Sequence, residues 1–341
     1  MWLAVLSVFG VVAPFSAARW SAIFPPIVMT TGNELVAQKG TKDVLAQFPP
    51  QIANAGYLSI AHFGNGYLLL TTTGIFTVSG KDGKSHLVAN LASTPAGVFS
   101  TILVSPNGRQ ATICDRTGRI ENFPNRLVLW TYRSGGKVRR TGVRGGGLYC
   151  LGYSHNESQV VGSTGPPGNR LVAIGSGSGN VTTLVKPGND GSWSVSPDGR
   201  VAVLIGKDRT VTAYGIKLAP DGSVQSAEQI ASATGPGNGY QAPPDFVLWT
   251  ATDRFYYRRL GSSPTNPALI EAHLTPISFR IVTTGYADPV AANGANAIVV
   301  YRNANASLVA DVDPVTGAIG PSVRADAVLD AVPFARTAFF G

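Results

Sequence analysis

Residues 193–204, WSVSPDGRVAVL, run from one apolar segment through the turn Ser196-Pro197-Asp198-Gly199 into a second apolar segment. Proline presets φ at the second position of a type I turn, Asp suits the third position and Gly the fourth. The stretch therefore predicts an antiparallel β-hairpin. Six further segments follow this pattern, some of them more weakly: IAHFGNGYLLL (60–70), ILVSPNGRQATI (102–113), LGYSHNESQVVG (151–162), LWTATDRFYYRR (248–259), PVAANGANAIVV (289–300) and DAVPFARTAFFG (330–341).

The hairpins recur at a nearly constant interval. Their turn residues Asn65, Asn107, Asn156, Asp198, Asp253 and Asn293 are successively 42, 49, 42, 55 and 40 residues apart, and a seventh turn falls near Ala335. Hairpins are followed by two more strand-like runs, such as 210–218 and 223–231. Repeats of four short strands with this period are typical of β-propellers. We predict an all-β protein, a single seven-bladed β-propeller of four-stranded antiparallel blades.

The two ends of the sequence are complementary parts of one repeat. The segment TTGNELVAQKGTKDVLAQF (30–48) resembles TTGIFTVSGKDGKSHLVANL (72–91), which holds the third and fourth strands of the first complete repeat. Residues 27–48 are therefore predicted outer strands without inner ones, and 325–341 inner strands without outer ones. The N- and C-terminal strands together complete the last blade, which closes the ring and leaves no open sheet edge. Two-plus-two and three-plus-one divisions of the strands both fit.

Composition supports one domain of many short strands. Glycine and proline number 40 and 23 among 341 residues, which suits tight turns. The first 20 residues, MWLAVLSVFGVVAPFSAARW, lie outside the repeat, and their apolar stretch precedes the small residues Ser16-Ala17-Ala18. We predict a signal peptide at 1–18, a β-propeller domain at 19–341 and a secreted or periplasmic location. An uncleaved anchor or a buried N-terminal segment is the alternative, and the mature chain has no predicted transmembrane span.

Two cysteines fit an exported propeller. Cys114 ends the second strand of one repeat and Cys150 lies in the first strand of the next, so both can sit at similar heights in neighbouring blades. They are a candidate disulfide in an oxidising compartment, with two buried thiols as the alternative. The sequons at Asn156, Asn180 and Asn305 make a glycoprotein conceivable in a host that glycosylates exported proteins.

Two turns carry a resemblance to a known family. Ser105–Arg109 and Ser196–Arg200, each followed by a short apolar strand, resemble the repeats of TolB-like and other WD-repeat-like propellers of exported bacterial proteins. The other repeats keep only the Asn or Asp position and the flanking strands. The resemblance implies the propeller architecture, and it is compatible with scaffold, partner-binding and small-molecule enzyme roles. The extra N-terminal domain of the TolB protein itself has no counterpart in this sequence.

Linear catalytic motifs are absent from the sequence. It contains no Gly-rich phosphate loop, no G-x-S-x-G elbow and no zinc or EF-hand pattern. Histidine is the usual general base near neutral pH. The four histidines map to the side of the ring opposite the loops that join successive blades, where turn or surface roles explain them: His62, His86, His155 and His273.

Ligands of propellers usually bind where many loops converge at the mouth of the central channel. We call this side of the ring the loop face. The sequence places a set of polar residues there, which are our candidate ligand-binding residues: Asp115, Arg116, Arg119, Arg144, Asp190, Lys207, Arg209, Tyr240, Gln241, Asp245, Tyr286 and Asp288. We predict no cofactor and no metal, although a divalent cation could bind the acids of this group. Solvated loop side chains are the alternative reading of each residue.

Charge is concentrated in one segment of a chain whose formal charge is +8. Between Glu121 and Glu157 there is no acid, and the cations cluster on the predicted outer hairpin of the second repeat: Arg126, Arg133, Lys137, Arg139, Arg140 and Arg144. A convex basic rim could contact an anionic lipid, a cell-wall polymer or an acidic protein. Lysine and arginine also protect exposed edge strands from aggregation, which is the structural alternative.

Two hypotheses about function follow. The first is an exported, non-enzymatic binding module or scaffold that recognises a protein or an anionic envelope component through its loop face or basic rim. The second is a small-molecule enzyme of the propeller type, a lactone hydrolase, isomerase or cyclase, with its site at the channel mouth. We expect a monomer. We expect no nucleic-acid partner, because the aromatic and arginine residues of DRFYYRRL (253–260) fit packing between blades better than base stacking.

Overall fold

The computed structural model describes most of the chain between residues 27 and 333. The described residues are 27–30, 34–39, 41–47, 52, 57–91, 100–117, 126–145, 147–164, 169–236, 247–259, 268–285, 287–293, 297–303, 307–320, 323–324 and 331–333. The predicted signal peptide lies outside this part of the chain. The same is true of the predicted turn near Ala335.

The described residues contain 28 strands, which form seven antiparallel sheets of four strands each. We name the sheets A to G in chain order. Sheet A consists of β1 (Ile27–Thr30), β2 (Glu34–Lys39), β3 (Thr41–Gln47) and β28 (Ala331–Pro333). Sheet B consists of β4 (Tyr57–Phe63), β5 (Gly66–Thr71), β6 (Gly74–Ser79) and β7 (Ser85–Asn90). Sheet C consists of β8 (Thr101–Val104), β9 (Gln110–Thr117), β10 (Arg126–Arg133) and β11 (Arg139–Gly142).

The remaining sheets have the same composition of four consecutive strands. Sheet D consists of β12 (Leu148–Tyr153), β13 (Gln159–Thr164), β14 (Leu171–Gly175) and β15 (Val181–Val185). Sheet E consists of β16 (Gly191–Val195), β17 (Val201–Gly206), β18 (Thr210–Leu218) and β19 (Val224–Thr234). Sheet F consists of β20 (Val247–Ala251), β21 (Arg254–Arg259), β22 (Ala268–Leu274) and β23 (Ile277–Thr284). Sheet G consists of β24 (Asp288–Asn293), β25 (Ala297–Asn303), β26 (Ser307–Val312) and β27 (Val323–Arg324).

The first strands of neighbouring sheets lie beside one another. β4, β8, β12 and β16 are adjacent in this order, and so are β20, β24, β28 and β4. In sheet A, β28 therefore takes the first position, and β1, β2 and β3 follow it outward. Val28 pairs with Val332 and Ile27 with Pro333, so the two ends of the chain share this sheet in a three-plus-one division.

The predicted hairpins around Asn65, Asn107, Asn156, Asp198 and Asp253 are confirmed. Side chains explain the geometry of two of these turns. In the turn between β16 and β17, the Ser196 hydroxyl donates to Asp198 Oδ1 at 2.7 Å and accepts from the Val201 backbone N–H at 3.0 Å. Asp198 Oδ1 also accepts from the Arg200 backbone N–H at 3.2 Å. Gly199 has a φ of +70°, a conformation that residues with a side chain rarely adopt. The turn between β8 and β9 repeats these contacts.

The described core lies between successive sheets. Between sheets E and F, for example, Val203 and Ala213 pack against Phe255 and Ile270, all of which are buried. Equivalent apolar clusters join B to C, C to D, D to E and F to G. This arrangement follows from strands that are apolar on both faces, because each inner strand is covered on two sides.

Two turns between third and fourth strands pack on the outer strand of the preceding sheet. A Cβ on Gly179, in the turn between β14 and β15, would lie 2.1 Å from the Gly142 carbonyl oxygen of sheet C. A Cβ on Gly317, in the turn between β26 and β27, would lie 1.9 Å from the Val282 oxygen of sheet F. Both glycines have φ near +70°. Glycine is therefore required at these contacts for two reasons: a side chain would disfavour the positive φ, and a Cβ would clash with the neighbouring sheet.

Cys114 of β9 and Cys150 of β12 form a disulfide, as predicted, with an S–S distance of 2.15 Å. It links the second strand of sheet C to the first strand of sheet D. Of the sequons, Asn156 and Asn180 are both exposed, and the Asn156 side-chain amide donates to the Gly222 carbonyl. Asn305 lies outside the described residues. Within the described part of the chain, no helix is long and apolar enough to cross a membrane.

Candidate functional site

The loop face is the end of the sheets at which first and third strands begin and second and fourth strands end. On sheet C this end holds Asp115, one residue beyond the disulfide cysteine of β9. The Asp115 side chain is 1% exposed, and its Oδ1 accepts a hydrogen bond from the Ser100 hydroxyl at 3.0 Å. Asp115 is thus built into the interior beneath the face. Arg116 follows it in β9, where only the backbone is described.

Sheet E brings three of the predicted residues together. Asp190 precedes β16, and its Oδ2 lies 3.4 Å from Nζ of Lys207 in the turn between β17 and β18. Arg209 completes that turn with a φ of +74°. Asp208, between them, accepts from Asn189 Nδ2 at 2.9 Å and from the Thr210 backbone N–H at 3.0 Å. The outcome is a mixed-charge loop that is held by its own hydrogen bonds.

Sheet F adds two buried arginines that sequence reasoning missed as site residues. Arg258 and Arg259 end β21 at the loop face and are 9% and 5% exposed. Arg259 Nη1 donates to the Pro236 carbonyl at 3.0 Å. Burial lowers the pKa of the Arg259 guanidinium from its ordinary value. The signal was present in the sequence as two cations at the loop-face end of a second strand.

Tyr257 lies two residues before Arg259 and shares its side of β21, since side chains alternate along a strand. Burial raises the pKa of Tyr257 to about 12. Its hydroxyl has no hydrogen-bond partner of normal geometry within the described residues. The phenol is therefore a neutral donor at pH 7 in a buried position.

The other predicted mouth residues cannot be placed in this way. Arg119, Tyr240, Gln241, Asp245 and Tyr286 lie outside the described residues. Asp288 is the first residue of β24, with only its backbone described. These residues remain predictions.

Arg144 lies away from this group, because it is two residues past the end of β11, the outermost strand of sheet C. Its backbone N–H donates to the Gly179 carbonyl of sheet D at 3.2 Å. It joins four other exposed cations of the same hairpin, which we together call the cationic rim: Arg133, Lys137, Arg139, Arg140 and Arg144. The predicted sixth cation, Arg126, begins β10, with only its backbone described.

Neutral groups hold the cationic rim in place. Arg133 Nε donates to Gln110 Oε1 at 3.0 Å, and Arg139 Nη2 donates to the Gly177 carbonyl at 3.0 Å. The Arg140 guanidinium lies over the Trp130 ring, 5.5 Å from its centroid. In the described part of the chain, no ion pair includes a residue of the rim. The rim therefore presents uncompensated positive charge to solvent.

The histidines lie at the end opposite the loop face, as expected. In the turn between β12 and β13, His155 Nε2 is 2.9 Å from Arg200 Nη2. His273 Nε2 lies 3.4 Å from Glu271 Oε1, and His62 packs edge-on against Tyr67. His86 is the second residue of the outer strand β7. Among the described residues, no group of three or more His, Cys, Asp or Glu side chains is arranged to hold a metal ion.

No protein-family model and no curated protein matches this sequence. Solved structures do show likeness. A putative 6-phosphogluconolactonase from Bacteroides fragilis is 14% identical with a TM-score of 0.58, over 90% of this chain and 97% of that chain. The periplasmic gluconolactonase PpgL from Pseudomonas aeruginosa is 13% identical with a TM-score of 0.57, over 91% of this chain and 96% of that chain.

Two further structures extend the comparison. A structure from work on two prolyl endopeptidases is 12% identical with a TM-score of 0.56, over 91% of this chain and 51% of that chain. A putative TolB from Agrobacterium tumefaciens is 17% identical over 79% of this chain and 91% of that chain, with a TM-score of 0.43. At these identities the likeness of the first three structures concerns the fold alone, and the TolB-like resemblance stays a prediction. The protein is an all-β protein with the β-propeller fold.

Proposed function

We propose that this protein is an extracytoplasmic, seven-bladed β-propeller that binds an anionic component of the cell envelope through its cationic rim. The single observation that carries the proposal is the rim itself: five exposed cations on one hairpin, with no ion pair to a described carboxylate. Positive charge arranged in this way attracts anionic surfaces at about 1 kcal/mol for each lysine or arginine near the surface.

The seven sheets supply the proposed architecture. Each is one blade, and β28 between β24 and β4 closes the ring within a single chain. Residues 19–341 are then one domain, and closure within the chain favours a monomer. A rigid disc of this kind presents the rim on a fixed convex edge.

The proposed location outside the cytoplasm rests on the disulfide and the N-terminal sequence. Disulfides persist in oxidising compartments and are rare in the cytosol. The Cys114–Cys150 bond joins two sheets, and residues 1–18 have the pattern of a secretory signal. An extracytoplasmic protein meets anionic lipids and wall polymers, whereas it rarely meets nucleic acid.

The proposal is tested with vesicles of phosphatidylglycerol and of phosphatidylcholine. We expect cosedimentation with the anionic vesicles only, and weaker binding as salt rises, since salt screens exposed charges. A variant with Arg133, Lys137, Arg139 and Arg144 changed to Gln should bind at least tenfold more weakly. Arg140 is kept because it packs on Trp130.

A matched control carries the same change in net charge elsewhere. Four exposed lysines on other sheets are changed to Gln for this purpose: Lys81, Lys84, Lys186 and Lys217. The control should keep most of the binding. Equal losses in the two variants would mean that net charge alone matters, and an unchanged rim variant would exclude the rim.

A second candidate is a small-molecule enzyme, a lactone hydrolase, isomerase or cyclase, with its site at the loop face. It is favoured by the close Asp190–Lys207 pair, and two similar structures are described as a putative 6-phosphogluconolactonase and a periplasmic gluconolactonase. A metal-dependent version predicts that a divalent ion raises the melting temperature, and that changing Asp115 and Asp190 to Ala abolishes this shift. The absence of any shift would contradict a metal-dependent version.

A further inference from the structure

The outer hairpin of sheet C runs along the turn between β14 and β15 of sheet D. Arg139 Nη2 donates to the Gly177 carbonyl of that turn at 3.0 Å, and the Arg144 backbone N–H donates to the Gly179 carbonyl at 3.2 Å. We call this line of contact the C–D seam. The two arginines are five positions apart in the sequence, so their Cα atoms are separated by at most about 18 Å.

Arg133 extends this row of arginines toward the turn between β10 and β11. Its Nε donates to Gln110 Oε1 at 3.0 Å, and the Gln110 amide is 3.4 Å from the Tyr153 hydroxyl of sheet D. Tyr153 belongs to the apolar cluster between sheets C and D, so Arg133 approaches sheet D. Arg140 points the other way, because it lies over Trp130, which packs against the cluster between sheets B and C. Three of the five rim cations therefore follow the C–D seam.

The bonds that hold the C–D seam leave its charge intact. Arg133 and Arg139 donate to neutral oxygens, and each of these bonds uses one of the five N–H donors of a guanidinium. The Thr141 hydroxyl donates to the Ser176 carbonyl at 3.0 Å across the same seam, and the disulfide joins the same two sheets. The guanidinium groups are thus held in place before a partner arrives, which lowers the entropic cost of binding.

The surroundings of the C–D seam favour a chain over a membrane surface. Gly177 is exposed, and a Cβ there would lie 3.4 Å from Arg139 Nη1, so the lack of a side chain keeps this cation accessible. Stable attachment to a bilayer usually combines charge with inserted apolar groups. Within the described part of the chain, the exposed large hydrophobic side chains all lie outside the rim hairpin: Leu87, Tyr149, Ile230, Ile281 and Val315.

We propose that the C–D seam binds a linear polyanion, a chain that carries a phosphate or a carboxylate in each repeat, with Arg133, Arg139 and Arg144 on successive anionic groups. This inference rests on the proposed function, because it names the class of partner that the cationic rim takes. A guanidinium presents paired N–H donors that match the two oxygens of such groups. The partner is therefore a polymer of the envelope rather than its lipid surface.

The test compares polymers with their monomers by isothermal titration calorimetry at constant ionic strength. The probes are polygalacturonate and galacturonate, and long-chain inorganic polyphosphate and orthophosphate. We expect at least one polymer to bind more tightly per anionic group than its monomer, by roughly a hundredfold or more, because linked contacts act together. The polymer that binds more tightly identifies the preferred anion. Equal affinity per anionic group for polymers and monomers would overturn the proposal.

The vesicles of the preceding test separate this proposal from the proposed function. Binding to phosphatidylglycerol vesicles but to neither polymer would overturn the linear partner and leave the proposed function intact. Binding to neither vesicles nor polymers would overturn both. Binding to a polymer that is tighter than binding to vesicles, at equal concentrations of anionic groups, is the result we expect.

A matched set of variants tests the place of binding. Gly177→Asp puts a carboxylate beside Arg139 and should weaken polymer binding by roughly fivefold or more. Gly177→Asn has the same size without the charge, and Gly188→Asp makes the same change in charge before β16, where a Cβ would meet nothing within 4 Å. Neither glycine has a positive φ, so both positions accept a side chain, and both controls should keep most of the binding. A loss in either control equal to that of Gly177→Asp would overturn the assignment to the C–D seam, and so would unchanged binding by Gly177→Asp.

Discussion

The Tyr256 hydroxyl of β21 donates a hydrogen bond to the buried carboxylate of Glu271 in β22, at 2.5 Å. Arg280 of β23 donates to the other oxygen of the same carboxylate at 2.7 and 2.8 Å, through Nη2 and Nε. Arg280 also donates to the Val315 carbonyl of sheet G at 2.9 Å. One carboxylate thus organises a polar contact across the interface between sheets F and G.

Stability should depend on pH through Glu271. Burial acts to raise the pKa of Glu271, but the hydrogen bonds from Tyr256 and Arg280 outweigh it and hold the pKa below its ordinary value. The contribution is therefore complete above the unfolded pKa, about 4.3, and is lost as pH falls through the lower folded value. We expect Glu271→Gln to lower the free energy of unfolding by about 2 kcal/mol at pH 7, and by less at pH 3.

Urea unfolding at pH 7, 5 and 3 measures this difference. Glu228→Gln is the control, because Glu228 is an exposed carboxylate on the outer strand β19 and its change should have little effect at any of the three pH values. A destabilisation by Glu271→Gln that is the same at pH 3 as at pH 7 would contradict the role given to its charge.

The disulfide should contribute substantially to stability. It closes a loop with a sequence separation of 36 residues, for which the loop-entropy argument gives roughly 3 to 4 kcal/mol. The double variant Cys114→Ala, Cys150→Ala should lose about this amount in urea unfolding. Reductant should lower the stability of the unmodified protein but leave the variant unchanged. A variant as stable as the oxidised protein would show that the bond is dispensable.

Local rules account for the part of the fold that the sequence predicts. The Ser-Pro-Asp-Gly turn at 196–199 is specified by its own side chains, so the hairpin could be predicted without knowledge of its neighbours. Cys114 and Cys150 could be paired because the repeat fixes the height of each strand. The three-plus-one division of sheet A depended on pairing between residues about 300 positions apart in the sequence, for which no local signal exists.

The buried arginines show why the site was harder to predict. Packing between blades was the correct interpretation of Phe255 and Tyr257 in DRFYYRRL (253–260). Arg259 is buried against Pro236 and Gly235, which follow β19, the last strand of sheet E. These residues approach Arg259 only in the folded protein. The sequence shows two cations at the end of this strand, but it carries no signal for the contact that buries Arg259.

The close approach of Gly179 to sheet C should be sensitive to a single methyl group. Gly179→Ala combines a φ of +68° with a Cβ only 2.1 Å from the Gly142 oxygen. The conformation alone costs about 1 kcal/mol, and the clash adds to it. We expect a total loss of roughly 3 kcal/mol in urea unfolding.

Gly135→Ala separates the two contributions. Gly135 has a φ of +72° in the turn between β10 and β11, and a Cβ there would meet nothing within 4 Å. This control should lose only the conformational cost of about 1 kcal/mol. Equal losses at the two positions would mean that the contact between sheets C and D relaxes without cost.

Closure of the ring should depend on β28. A chain that ends at Arg324 lacks β28, so β1 becomes the first strand of sheet A and its inner edge has no partner strand, although β24 and β4 still flank the gap. Exposed strand edges promote association with other chains. We expect a melting temperature lower by roughly 10 °C or more and a shift from monomers to larger species in analytical ultracentrifugation.

Adding a synthetic peptide of residues 325–341 should restore both properties, because the peptide can pair with β1, whereas a peptide of scrambled sequence should restore neither. A truncated chain that stays monomeric and equally stable would mean that the ring does not need its C-terminal strand.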